Sequence, residues 1–594
     1  MAVFRYFILL TLFCEALTIP SQPKSPKVCA LHVGCMRGKY MPGFQTDRFE
    51  AYLGIPYALP PVGELRFSNP KSFPRWSGIL NATEPRMDCI QKNYLVPNPA
   101  VYGTEDCLYL NLYRPIVRSK VLPVMVYIYG GGWFSGSSSP SIHGPEYFMD
   151  TKEVILITFA YRLGAFGFLS TNDQNMPGNF ALKDQTLVLR WIQKNIAAFG
   201  GNPKMVTIFG QSAGGISAHM HMLSKQSEGL FRNVISLSGT ANVPFAITNE
   251  PLTQARRIAE LCNISNAFEL STAKLTRALR NVDATTLVNA GDGLKYWDVD
   301  HLTNFRPVIE PANNRDAFFV THPTDILKNG LYKPVPWLAG VVPNEGAVRV
   351  LAILENDVLR NNFNAKFNKL FEMMMEFPES FTDEQLKQKV QTIVDYYFQG
   401  ERSINFGTAQ AFLDVITDRG FHRPYFNAIK DYVNTVDTQK YPIFLYRFNY
   451  SGLNTYAGIY TGGRQSFDYG VVHCDDLIYL FRSPLLFPDF DKNSTDAAVV
   501  QAFVSNFVHF AKYSKPQNME LIKPCNNLTF NAEPETICDY QEFTNINEDA
   551  FIIKTENKFN VERVHLWDAI LEETSSPKYI KNTVTTTESQ SVAV

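Results

Sequence analysis

Residues Val206–Leu223, VTIFGQSAGGISAHMHML, constrain this chain more than any other stretch. The apolar run Val206–Phe209 reads as a short buried strand, and the pattern after Gly214 reads as a helix. Between them, Gly210-Gln211-Ser212-Ala213-Gly214 forms a turn too tight for large side chains, which is why small residues flank the serine. A serine placed there is presented at a sheet edge, beside the positive end of a helix. The bare GxSxG pattern is common by chance, and the strand before and helix after give it meaning. Ser212 is therefore the candidate nucleophile, and the N–H of Ala213 a candidate donor to an oxyanion.

The rest of the chain repeats the alternation. Val124–Tyr129 (VMVYIY), Val154–Phe159 (VILITF), Val234–Leu237 (VISL) and Pro336–Val342 (PWLAGVV) are short, apolar and bounded by Gly or Pro. Such runs are expected of strands covered on both faces. Gly178–Phe199 has apolar residues at helical spacing. Strands alternating with helices indicate an α/β fold, a mostly parallel sheet flanked by helices. From about Arg349 to Val433 the character changes. Lys366–Phe377 and Glu384–Phe398 read as amphipathic helices of an insertion that caps the sheet; Met373 to Met375 could line a binding cavity, although such a stripe is more often core packing. No linker-like tract divides the 594 residues. A net charge of -2 without a basic stripe excludes a nucleic-acid partner.

Residues 1–20 combine a short basic start with an apolar run too brief to span a bilayer, the pattern of a cleaved export leader. The expected organisation is a leader over 1–20, a catalytic unit over 21–570 and a polar tail over 571–594. No segment offers a membrane anchor, and the expected location is outside the cell. Apart from Cys14 in the leader there are eight cysteines: Cys29, Cys35, Cys89, Cys107, Cys262, Cys474, Cys525 and Cys538. In an oxidising compartment, local pairs such as Cys89–Cys107 and Cys525–Cys538 would close modest loops. Metal-site spacing, CxxC or HExxH, is missing, so neither metal nor cofactor is expected. Sequons at Asn81, Asn263, Asn449, Asn493 and Asn527 suit a glycosylated surface. Asn449 is the weakest of them, since it lies in a strand-like run.

A nucleophilic hydroxyl needs a base, and the oxyanion it creates needs donors. Strand Val124–Tyr129 ends in Gly130-Gly131-Gly132, where backbone N–H groups can approach a substrate unobstructed. Gly131 and Gly132, with Ala213, make a candidate three-donor oxyanion hole. Chemistry alone singles out no base among 10 histidines and no acid among 57 acidic residues.

The sequence as a whole resembles the type-B carboxylesterase and cholinesterase-like family. The resemblance rests on Phe49–Pro70, Glu105–Leu112 (EDCLYLNL), Tyr161–Leu169 (YRLGAFGFL), Gly178–Gln185 (GNFALKDQ), Phe199–Gly214 (FGGNPKMVTIFGQSAG) and Asn506–Tyr513. It implies an α/β-hydrolase fold and hydrolysis of small-molecule esters through an acyl-enzyme. Two further segments match the family's triad order: Gly340–Gly346 (GVVPNEG) nominates Glu345, and Gly470–Phe481 (GVVHCDDLIYLF) nominates His473. The resemblance also implies the disulfides Cys89–Cys107 and Cys525–Cys538.

Departures from the family pattern bear on substrate. Tyr129 stands where the family usually has His before the glycines. Cys474, next to His473, reads as a buried inert thiol, and Cys262 lacks a nearby partner. The loop Cys89–Cys107 carries Tyr94 and Tyr102 but no Trp, the residue with which cholinesterases hold a quaternary ammonium. Gln211 replaces the Glu that those enzymes place before the nucleophile. Both changes disfavour choline esters and point to neutral, apolar esters. The form GQSAG resembles secreted insect carboxylesterases and juvenile-hormone esterases, which makes a terpenoid methyl ester the alternative substrate. A silent adhesion protein of neuroligin or glutactin type is the rival from another class, but such relatives typically lack triad residues that are all present here.

Overall fold

The computed structural model describes residues 25–117, 121–517, 525–526, 537–547 and 550–572. The expected leader, Asn527 and most of the expected tail lie outside the described residues. The core is an eleven-stranded sheet. Its strands in chain order are β1 (Lys39–Met41), β2 (Phe49–Pro56), β3 (Tyr109–Pro115), β4 (Leu122–Ile128), β5 (Ile155–Phe159), β6 (Gly201–Gln211), β7 (Asn233–Leu237), β8 (Trp337–Val341), β9 (Ile443–Asn449), β10 (Tyr540–Asn547) and β11 (Ala550–Glu556). Across the sheet they lie β11-β10-β9-β8-β7-β6-β4-β5-β3-β2-β1. Neighbours from β5 through β10 are parallel, and antiparallel strands finish both edges. Every residue of β4, β5, β7 and β8 is buried, as their unbroken apolar runs require.

The five expected strand runs and the expected helix all form, with shifted ends. The run Val206–Phe209 extends to Gly201–Gln211, because a bulge between Gly201 and Val206 lets polar residues join the pairing with β4. The helix expected over Gly178–Phe199 is α1 (Phe180–Asn195), closed by a tighter turn over Ile196–Phe199. The motif GNFALKDQ is a set of buried polar pins. Arg162, in the loop after β5, forks onto Asp184 through Nε (2.8 Å) and Nη2 (2.7 Å). Asn179 and Lys183 both donate to Glu310, at 2.8 and 2.6 Å. Gln185 meets His221 at 2.8 Å. Each buried charge thus has a partner, the condition under which such groups are tolerated.

Beyond β8 the chain leaves the sheet for the helical insertion: Ala347–Leu354, Asp357–Ala365, Phe367–Met374, Asp383–Phe398 and Ala409–Thr417. These helices build a second apolar core around Phe363, Phe371, Ile393 and Phe412, joined by Trp567 from the last helix. The insertion is thus a cap with its own core, something the sequence pattern did not separate. Met375 is buried there, as expected of a core stripe. Met373 and Met374 line the cleft above Ser212 as well as packing against the cap core, so the less common of the two readings applies to them. The helix axis divides the three residues between two faces.

Three disulfides are present among the described residues: Cys29–Cys35, Cys89–Cys107 and Cys525–Cys538. Cys262 and Cys474 are free. Cys474 is half-buried rather than buried, because it occupies a left-handed turn (φ 77°) where the chain enters a short 3-10 helix. Asn81, Asn263 and Asn493 are exposed. Asn449 is half-buried at the end of β9, with its amide donating to Glu542.

The sheet and the helix that follows β6, α2 (Ala213–Leu223), meet at closest approach through Gly214, where a Cβ would overlap the Ile128 carbonyl at the end of β4. Gly214→Ala must therefore push α2 off the sheet. It is expected to cost about 2 kcal/mol or more in denaturant unfolding.

Candidate active site

Strands β4, β6 and β8 run parallel, so the loops that follow them open on one edge of the sheet, the place where such folds bind ligands. After β6 comes Ser212, with φ 56° and ψ −127°, a conformation costly for a residue with a side chain. Its N–H donates to the Leu237 carbonyl (2.9 Å), and its carbonyl accepts from Ile216 N–H (2.8 Å). Ser212 is half-buried and faces a cleft of about 890 Å³.

After β4 come Gly130, Gly131 and Gly132. Gly131 and Gly132 take φ of 102° and 58°, and a Cβ on Gly130 would stand 2.5 Å from the Gln211 carbonyl. Trp133 fixes this loop by donating its indole N–H to Ser217 on α2 (3.0 Å). Among the described residues, no acceptor faces the N–H groups of Gly131, Gly132 or Ala213. Tyr129 fills the place of the family's usual His by pairing with Tyr161. The two rings stack at 4.4 Å, Tyr161 Oη donates to the Tyr129 carbonyl (2.7 Å), and Tyr129 Oη donates to the Tyr161 carbonyl (3.3 Å).

After β8 comes Glu345, fully buried. Its Oε1 accepts from Val342 N–H at 2.9 Å, and its Oε2 lies 2.5 Å from Nδ1 of His473. The two loops are zipped by Asn344, whose N–H donates to the Val471 carbonyl (3.1 Å) and whose amide donates to that of Tyr469 (2.9 Å). Tyr460 Oη donates to the His473 carbonyl (2.9 Å), and the Phe421 ring packs 5.0 Å from the imidazole. Burial disfavours the imidazolium, but the Cys474 sulfur and the Glu345 carboxylate outweigh it and raise the His473 pKa above its ordinary value. In the neutral ring with Nδ1–H donating to Glu345, Nε2 is an acceptor, and the Gln211 amide nitrogen lies 3.2 Å from it.

Ser212, Ala213, Gly132 and His473 all line one cleft, and Glu345 reaches it through His473, while Gly131 is not among the residues lining it. Its apolar wall is formed by Leu95, Phe134, Phe245, Val348, Met373, Met374, Ile416 and Phe421. Leu95 comes from the Cys89–Cys107 loop. Tyr94 of that loop is turned to Lys295, which lies 4.3 Å over its ring, and its hydroxyl donates to Asp292 (2.7 Å). The cleft also carries ion pairs, Arg349 with Asp300 (2.6 Å) and Arg306 with Glu376 (2.7 Å). Phe421 and Arg419 carried no signal in the sequence, because they reach the site from an element with no motif; Leu95 lies in the loop the sequence singled out, beside Tyr94. Among the described residues, no group of three or more His, Cys, Asp or Glu is arranged to hold a metal.

This architecture is that of an α/β-hydrolase, and the model of the carboxylesterase family matches residues 25–567. The chain belongs to that family and is a carboxylic ester hydrolase. It is 38% identical over 532 residues to a juvenile hormone esterase of Tribolium castaneum, covering 88% of this chain and 87% of that one. It is 34% identical to venom carboxylesterase-6 of Apis mellifera, covering 84% and 88%. The crystal structure of juvenile hormone esterase from Manduca sexta, with OTFP covalently attached, superposes with a TM-score of 0.77 at 26% identity, covering 92% of this chain and 99% of that one.

The Tyr129–Tyr161 stack is the support of the glycine loop. Tyr129→Phe keeps the stack and is expected to cost about 1–3 kcal/mol, since the hydroxyl both donates to the Tyr161 carbonyl and accepts from the Tyr161 N–H. Tyr129→Ala empties a buried site and is expected to cost about 3–5 kcal/mol. Denaturant unfolding of the two variants measures both.

Proposed function

We propose that this esterase works through Ser212, His473 and Glu345 on neutral, apolar esters, outside the cell. The observation that carries the reading is the His473–Glu345 contact at 2.5 Å, with Nε2 of the same ring turned to the residue next to Ser212. Entry of substrate exchanges the Gln211 amide for the Ser212 hydroxyl at Nε2. Ser212 Oγ then attacks the ester carbonyl while Nε2 takes its proton. The N–H groups of Gly131, Gly132 and Ala213, which have no acceptor among the described residues, receive the oxyanion. Collapse breaks the bond to the alcohol, which leaves with the proton from Nε2. Water, deprotonated by the same nitrogen, then attacks the acyl-enzyme, and the acid departs as Ser212 recovers its proton. Glu345 holds the tautomer and stabilises the imidazolium throughout.

The apolar wall supports the choice of neutral esters, and Leu95 stands in the loop where a cholinesterase would present Trp. The likeness to juvenile hormone esterases supports a terpenoid methyl ester as the second reading. Three disulfides support an extracellular location, with residues 1–20 as its leader and 21–570 as the catalytic unit. No helix among the described residues is long and apolar enough to cross a membrane.

An organophosphate should label Ser212 in the folded protein, and Ser212→Ala should lose both labelling and turnover. Ester hydrolysis above about a thousandth of wild type in Ser212→Ala would remove the nucleophile assignment. Glu345→Gln should lower kcat by roughly 10³–10⁴-fold. It removes the anion that raises the His473 pKa, so the histidine should titrate at lower pH in NMR than in wild type.

A further inference from the structure

The helix Ala409–Thr417 runs into a single π-helical turn, Asp418–His422, before Arg423–Thr435 continues. Such a turn inserts an extra residue per winding, re-aims what it carries, and is frequent at functional sites. Here it places Arg419, Gly420 and Phe421 on the cleft wall with Ser212. The Arg419 side chain is buried. Its Nε donates to the Met375 carbonyl (2.7 Å) and its Nη2 to the Glu376 carbonyl (2.6 Å), while the guanidinium lies 5.9 Å over the Trp567 ring.

These contacts hold the guanidinium in place without neutralising it. Among the described residues no carboxylate forms an ion pair with Arg419. Glu376 is taken by Arg306 (2.7 Å), Asp300 by Arg349 (2.6 Å), and Asp418 by Arg563 (2.9 Å) and the Tyr397 hydroxyl (2.7 Å). Burial, with Arg423 nearby, outweighs the opposing pull of the Glu376 carboxylate and pushes the Arg419 pKa down from 12.5 to about 9, the direction of a cation removed from water with too little counter-charge. Its Nη1 makes no hydrogen bond among the described residues. A residue needed only to tie down the carbonyls of 375 and 376 has no need to line the cleft.

We propose that Arg419 is a specificity determinant, receiving through Nη1 an oxygen acceptor carried by the ester substrate away from its scissile carbonyl. The inference rests on the esterase reading and narrows its substrate class to apolar esters bearing a second oxygen function. A substrate without that oxygen, once it covers this wall, leaves Nη1 with neither water nor an acceptor, the arrangement by which enclosed sites discriminate most strongly. The charge makes the bond a strong one, for a neutral or an ionised acceptor.

The test compares methyl esters of one chain length whose far end is an alkyl group, a hydroxyl, an ether or a carboxylate. Wild type should favour at least one oxygenated ester over the alkyl ester by about tenfold or more in kcat/KM, mostly through KM, the worth of one charge-assisted bond. In Arg419→Met that ratio should fall toward one, and in Arg419→Lys it should be partly kept. The arm with the larger preference identifies the acceptor as neutral or ionised. Equal kcat/KM for all esters in wild type, or a preference that survives in Arg419→Met, overturns the proposal. If Arg419→Met does not fold, the wild-type ratio and Arg419→Lys decide. Failure of the esterase reading is distinct, since then no ester is turned over at Ser212.

Discussion

Ser212 sits in a backbone conformation that its surroundings alone make tenable. A φ of 56° with ψ of −127° costs on the order of 1–3 kcal/mol for a residue with a side chain. What holds it is close packing between helix α2 and the ends of β4 and β6. Gly214 lets the helix touch Ile128, Gly210 lets the turn close on itself, and Gly130 lets the next loop approach Gln211. The seven parallel strands exist, for the purposes of this site, to deliver those backbones to one line. The same close approach that strains the serine brings Gly132 and Ala213 to the wall of one cleft.

The imidazole is held by a different device. His473 comes from a long excursion after β9, so its position depends on a neighbouring loop rather than on sheet register. Asn344 supplies that register with two hydrogen bonds to the His473 loop, one residue before the carboxylate that binds Nδ1. A glutamate and a histidine far apart in the chain are therefore aligned by a residue with no chemistry of its own. Gln211 adds a further constraint, because its amide nitrogen stands 3.2 Å from Nε2 of the same ring.

The parts of this molecule legible in the sequence were those in which local pattern and tertiary need coincide. Buried parallel strands are continuous apolar runs, so β4, β5, β7 and β8 were visible within a residue or two. The elbow was visible because only small residues fit it. Glu345 and His473 were invisible to local chemistry and were nominated by resemblance, since nothing in a loop sequence records which distant loop it meets. The motif GNFALKDQ was visible as a resemblance, but its reason, buried charges pinned to Arg162 and Glu310, required the fold. The cap was read as an appendage because amphipathic periodicity shows that a helix has an apolar face and not what covers it. The π turn left no trace, as its residues have the composition of any helix.

The cleft joins two solvents in one wall. Near His473 it is apolar, with Phe421 against the ring and Leu95 from the disulfide loop, which suits a long hydrocarbon chain. Elsewhere it is built from Arg349–Asp300 and Arg306–Glu376, ion pairs whose charges balance, although Nη1 of Arg349 has no hydrogen-bond partner. A wall made solely of apolar groups and closed ion pairs would bind hydrocarbon esters by area alone, and area discriminates poorly, a methylene at a time. Charge in a cleft is informative only where it is left open. In this wall the guanidinium of Arg419 is open, and the π turn that carries it also carries the phenyl ring against the proposed catalytic base. Changes that remodel this one turn therefore act on substrate choice and on the base together, which makes it the point where specificity and rate are most tightly linked.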